Sequence, residues 1–149
     1  MASPGRVLGL DLGDARIGVA ISDPDRLVAV PLGTVHVGRP PGELLSIAEL
    51  ARDHDVTLIV VGEPVSMDGT KGSRADHAAA FASALGAATD VPIALQDERL
   101  STVEADRRLL AAGVNSRDRR AVIDASAAQI ILQAWLDAQS AASDEPGRD

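Results

Sequence analysis

The 149-residue chain has no cysteine and no tyrosine, three histidines, and only two aromatic side chains, Phe81 and Trp135. Without thiols there is no disulfide and no thiolate metal site, and His36, His54 and His77 are too scattered for a zinc centre. Any metal must therefore be a hard cation held by oxygen. Modules that read single strands by stacking successive bases need aromatic platforms, which two rings do not supply. No apolar run approaches the roughly 18 residues that span a bilayer, and no apolar signal segment precedes Val7. The expected place of the chain is the cytoplasm, with no membrane partner.

What is present suits one self-contained fold. At roughly 100–200 residues per domain, the length predicts a single unit, and 46% hydrophobic residues can supply its core. The formal net charge of -8 argues against a general polyanion binder, but its distribution is uneven. Between Arg99 and Arg120, six arginines (99, 107, 108, 117, 119 and 120) face three acidic residues, a local balance of +3 that leaves -11 elsewhere.

Arg6–Leu12 reads as a strand, Gly13-Asp14-Ala15 as a turn, and Ile17–Ser22 as the hairpin partner. A third strand covers Leu27 to Val37, where Pro31 and Gly33 predict an edge position or a bulge because proline cannot donate to a ladder. Gly42 to His54 carries apolar residues at helical spacing, and the unbroken apolar run Val56–Val61 reads as a strand buried on both faces. Helix Ser73–Ala88 and strand Val91–Gln96 follow. Ser101-Thr102-Val103-Glu104 fits a capping box that opens a helix ending before Gly113, and a last helix is expected over Arg117–Gln139. This order predicts an α/β fold over residues 1–139: an antiparallel β1-β2-β3 set, then parallel strands, in one mixed sheet with helices on both faces. Residues 140–149 read as a disordered tail.

Three places concentrate carboxylates where chemistry is plausible. Side chains alternate along a strand, so Asp11 shares a face with Gly9 and Gly13, which leave open space around it for a metal or phosphate. The structural alternative is an aspartate bonding its own hairpin turn. Asp97 and Glu98 follow an apolar strand, at the carboxyl end where open α/β sheets bind ligands; the alternative is a solvated charged turn. Asp124 has Ala127, Ala128, Ile131, Leu132 and Trp135 on its helical stripe, all apolar. An ionised carboxylate there is costly unless it binds a metal or pairs with an arginine such as Arg120, one turn earlier.

Six segments, in order, carry a resemblance: Leu8-Gly9-Leu10-Asp11-Leu12-Gly13, Arg16-Ile17-Gly18-Val19-Ala20, Val61-Gly62-Glu63-Pro64, Met67-Asp68-Gly69-Thr70, Asp97 through Ala105 (DERLSTVEA), and Ile123-Asp124-Ala125-Ser126-Ala127-Ala128. Together they resemble the YqgF/RuvX family of RNase H-like nucleases, described as pre-16S rRNA nucleases or Holliday-junction-resolvase-like proteins. The likeness spans about Arg6 to Asp137. One departure is Glu63, where the family has leucine; it adds a carboxylate near the crevice.

The resemblance implies an RNase H-like fold with an acidic site at Asp11, Glu98 and Asp124, and it selects Glu98 over Asp97. Three such carboxylates hold one or two Mg²⁺ or Mn²⁺ ions for phosphodiester hydrolysis, with no histidine base required. Arg16, Arg99, Arg107, Arg117, Arg119 and Arg120 are candidates for phosphate contacts, each with a solvated helix or hairpin surface as its alternative. The implied substrate is structured nucleic acid, either pre-16S rRNA or branched DNA, and junction resolution would require a homodimer placing two sites on one junction. A rival class, phosphotransfer by the actin-like fold, needs a second similar lobe that 149 residues without a repeat do not provide. The other rival, a binding factor that holds rRNA or branched DNA without cutting, gains nothing from carboxylates facing phosphates.

Overall fold

A computed structural model describes residues 3–13, 15–38, 42–63, 73–97 and 116–143. The strands are β1 (Arg6–Leu12), β2 (Arg16–Ser22), β3 (Ala29–His36), β4 (Val56–Glu63) and β5 (Ile93–Asp97), and the helices are α1 (Gly42–Asp53), α2 (Ser73–Ala88) and α3 (Ser116–Ser143). They form one five-stranded sheet in the order β3-β2-β1-β4-β5. β1 and β2 pair antiparallel, as do β2 and β3, while β1–β4 and β4–β5 are parallel. The mixed α/β sheet expected from the sequence is the one observed. The capping box at 101–104, its helix and the loop 64–72 lie outside the described residues.

β1 is central because it is apolar on both sides. Leu8 and Leu10 join Ile17, Val19, Ile59 and Val61 in a core under α1 and α2. Val7, on the opposite face, joins Ala20, Val60, Ala128, Ile131 and Leu132 in a second core under α3. The sheet is thus covered by helices on both sides, and strand alternation decides which helix each side chain meets.

β3 is an edge strand with a register shift opposite Val19/Ala20, where Gly33 and Pro31 sit. This is the bulge that proline forces. α3 is pinned to its start: Gln133 accepts from the Ala29 amide (2.9 Å) and Gln129 donates to the Ala29 carbonyl (3.0 Å). At its far end, Arg26 lies 5.9 Å from the Trp135 ring centroid and donates to the Gly5 carbonyl at 2.9 Å. The late residues of α3 therefore lie beside the beginning of β1, so helix and strand run antiparallel. α3 continues to Ser143, four residues past the boundary expected at 139; residues 144–149 lie outside the described set.

Candidate active site

Asp11 lies near the carboxyl end of β1 and is only 4% exposed. Its face of the strand is also that of Gly9, whose ideal Cβ would lie 2.7 Å from Leu132 Cβ and 3.3 Å from the Ala128 carbonyl oxygen. Gly9 is thus a point of close approach between α3 and β1. In register beside Asp11 stands Gly18 of β2. On the β4 side Leu10 pairs with Val61, and the next step along both strands sets Gly62 beside Asp11. At the strand end, the Gly13 amide donates to the Arg16 carbonyl at 2.9 Å, and a Cβ on Gly13 would lie 2.5 Å from that oxygen. Asp11 is therefore a buried carboxylate with a glycine two residues before it, another two residues after it, and one beside it on each neighbouring strand.

α3 brings a second predicted residue to this end. Asp124 precedes Ala128 by four residues, about 6 Å of helix rise. Asp11 follows Gly9 by two residues, also about 6–7 Å of strand. Because helix and strand run antiparallel, the two climb from the Gly9–Ala128 contact in the same direction. The backbone position of Asp124 thus lies at the level of Asp11, on the α3 face.

Alternation also sorts the acidic residues at the ends of β4 and β5. Ile59 pairs with Ile93 and both pack toward α1 and α2, so Glu63 and its register partner Asp97 belong to that face. Asp97 is thus on the opposite side of the sheet from Asp11. Glu63, 8% exposed, adds its carboxylate there and not on the Asp11 face, which refines the expectation that it alters the crevice. Glu98 lies outside the described residues, as do Arg99 and Arg107. Arg16 opens β2 beside the Gly13 turn, and Arg117, Arg119 and Arg120 belong to the first turns of α3.

Sequence reasoning missed Gln96. It pairs in register with Gly62 on the Asp11 side of the sheet, is 6% exposed, and its Nε2 has no hydrogen-bond partner among the described residues. The available signal was a lone amide in an otherwise apolar strand. Among the described residues, no group of three or more His, Cys, Asp or Glu is close enough to hold a metal, and no helix is long and apolar enough to cross a membrane.

An antiparallel three-strand set extended by parallel strands, with a carboxylate at the end of the central strand and a helix across it, defines an RNase H-like fold. The solved structure of T. thermophilus RuvC in complex with Holliday junction substrate shares it, with a TM-score of 0.55 at 16% identity, covering 91% of this chain and 96% of that one. The family model "RuvX: Holliday junction resolvase" matches residues 5–138, and the chain belongs to that family. A relative from Anaeromyxobacter dehalogenans (strain 2CP-C), named "Putative pre-16S rRNA nuclease", is 51% identical over 132 residues, 89% of this chain and 96% of its own length. Another of that name, from Pelotomaculum thermopropionicum, is 46% identical over 143 residues, 95% of this chain and 93% of its own.

Proposed function

We propose that the protein is a metal-dependent endonuclease that hydrolyses phosphodiester bonds of structured nucleic acid, and that its substrate is the 5′ end of pre-16S rRNA in the cytoplasm. The observation that carries this reading is Asp11: a buried carboxylate walled by glycines at the end of the central strand, in a chain whose relatives bear a nuclease name. A buried hard oxygen donor is the kind of ligand that Mg²⁺ and Mn²⁺ take, and the chain has no thiolate to favour a softer ion.

Asp11, Glu98 and Asp124 would hold the ion. The level of Asp124 on α3 supports its place in this set, and for Glu98 the support is the family resemblance together with the place of Asp97 on the opposite face of the sheet. When bound, the metal supplies an activated water and offsets charge at the reacting phosphate. The protein's own part is to fix three carboxylates on rigid elements, a strand and a helix that touch at Gly9. Gly18 and Gly62, beside Asp11 on the neighbouring strands, keep side chains away from the approaching backbone, while Gly9 lets α3 close on the sheet. Arg16, Arg99, Arg107, Arg117, Arg119 and Arg120 contact phosphates on either side and set the register of the substrate.

The test incubates pure protein with Mg²⁺ or Mn²⁺ and precursor 16S rRNA ends, four-way DNA junctions or duplex controls, and maps the cuts. Cleavage at the rRNA end, lost in EDTA and in Asp11→Asn, is expected. Cutting that persists in excess EDTA contradicts the metal mechanism, and symmetric cuts confined to junctions would assign the chain to DNA resolution by a homodimer.

A further inference from the structure

Gln96 is buried near the end of β5 on the Asp11 face of the sheet, and the nuclease reading gives it no task. Its Nε2 is buried as well and has no hydrogen-bond partner among the described residues. A buried amide donor without an acceptor destabilises a fold, and a methionine at this position would avoid that cost. Water does not reach the nitrogen. The acceptor that Gln96 lacks is therefore a group of the protein itself, and the residue is not a contact for the substrate.

The register points to the acceptor. One row crosses the sheet through Thr34, Gly18, Asp11, Gly62 and Gln96. At about 4.8 Å per strand, the backbones of Asp11 and Gln96 stand roughly 10 Å apart, and a hydrogen bond of about 2.9 Å leaves roughly 7 Å for the two side chains to cover. An aspartate and a glutamine leaning toward each other cover it when nothing stands between them. Gly62 puts no side chain there. Glu63 and Asp97, the other described acidic residues at this end of β4 and β5, belong to the opposite face, so Asp11 is the described carboxylate within reach.

The chemistry of the pair is complementary. A carboxylate offers about four acceptor sites, so a cation and more than one donor can share it. Carboxylates that ligate metals are themselves held by hydrogen bonds, and losing such a bond lowers metal affinity by about 10–100-fold. An amide supplies the donor without adding negative charge beside Asp11.

We propose that Gln96 is a positioning residue of the metal site, its Nε2 donating across Gly62 to the carboxylate of Asp11 when the ion is bound. This rests on the metal-dependent reading of Asp11 and adds the group that aims its carboxylate.

The test compares wild type, Gln96→Met and Asp11→Asn by Mn²⁺ titration calorimetry and by thermal melts in EDTA. Gln96→Met keeps the length of the side chain and removes the donor. It should melt in EDTA at or above the wild-type temperature, because an unmet donor is gone, yet bind Mn²⁺ about 10–100-fold more weakly. A second measurement needs no variant to fold: in wild type, Mg²⁺ should move one proton of the assigned Gln96 side-chain amide downfield in a nitrogen–proton correlation spectrum. Unchanged Mn²⁺ affinity in Gln96→Met, a lower melting temperature in EDTA, or an amide signal that Mg²⁺ leaves in place would overturn the positioning role. The reading beneath it fails separately. Asp11→Asn that binds Mn²⁺ as tightly as wild type removes the metal site and the role together, whereas affinity lost in Asp11→Asn and kept in Gln96→Met removes the role alone.

Discussion

At the residue scale the site depends on two groups of opposite kind, a carboxylate that is buried and glycines that make room for it. Gly9 is the more open to test, because a methyl there meets Leu132 Cβ at 2.7 Å and the Ala128 carbonyl at 3.3 Å, neither of them a flexible tip. Gly9→Ala should push α3 off the sheet, cost about 1–3 kcal/mol of stability by overpacking, and reduce cleavage by displacing Asp124. A thermal melt and a cleavage rate check it; an unchanged melting temperature contradicts the close approach. Asp11 with its flanking glycines was legible in the sequence because alternation along one strand is enough to put them on one face. The face of Asp97 was not, since it needs the register of β5 on β4, which a single strand does not encode. Gln96 stayed hidden because burial of a polar atom depends on the packing of other elements.

At the element scale, the helices and strands that fall among the described residues were read to within a few residues, and the edge strand and its bulge were legible from Pro31 and Gly33. The turn before β3 held more than its sequence announced. Asp23 Oδ1 accepts from the amides of Leu27 (2.7 Å) and Val28 (2.8 Å), while Arg26 takes a left-handed φ of 60°. The Val28 amide above all, with those of Leu27 and Asp25, outweighs desolvation and holds the Asp23 carboxyl below its ordinary value. A carboxyl depressed in the folded state contributes stability above its unfolded pKa, and loses it as pH falls through the folded one. Asp23→Ala should therefore lower the melting temperature at neutral pH, and the gap to wild type should close as pH falls below about 4. A gap that stays constant down to the acid limit would show that the carboxylate charge is not what clamps the turn.

At the scale of the whole molecule, an acidic protein with a net charge of -8 must approach a polyanion, so its basic segment has to carry the encounter. Replacing Arg117, Arg119 and Arg120 together with alanine should weaken binding to rRNA and duplex alike, and flatten the salt dependence by up to about one log-log unit for each phosphate no longer neutralised. An unchanged slope in a filter-binding titration returns these arginines to a solvated helix surface. The wider architecture, one sheet with helices on both faces, was readable from the order of elements, because short connections and right-handed crossovers leave few alternatives. Everything proposed for the site requires that α3 deliver Asp124 to Asp11 to hold a metal, and the decisive experiment melts wild type and Asp124→Asn in EDTA and in Mg²⁺. If the carboxylates repel one another without metal, Asp124→Asn should melt higher than wild type in EDTA, gain less from Mg²⁺, and fail to cleave. A variant destabilised by about 3–5 kcal/mol with or without Mg²⁺ would instead mark Asp124 as the partner of a buried arginine, and would take it out of the metal site.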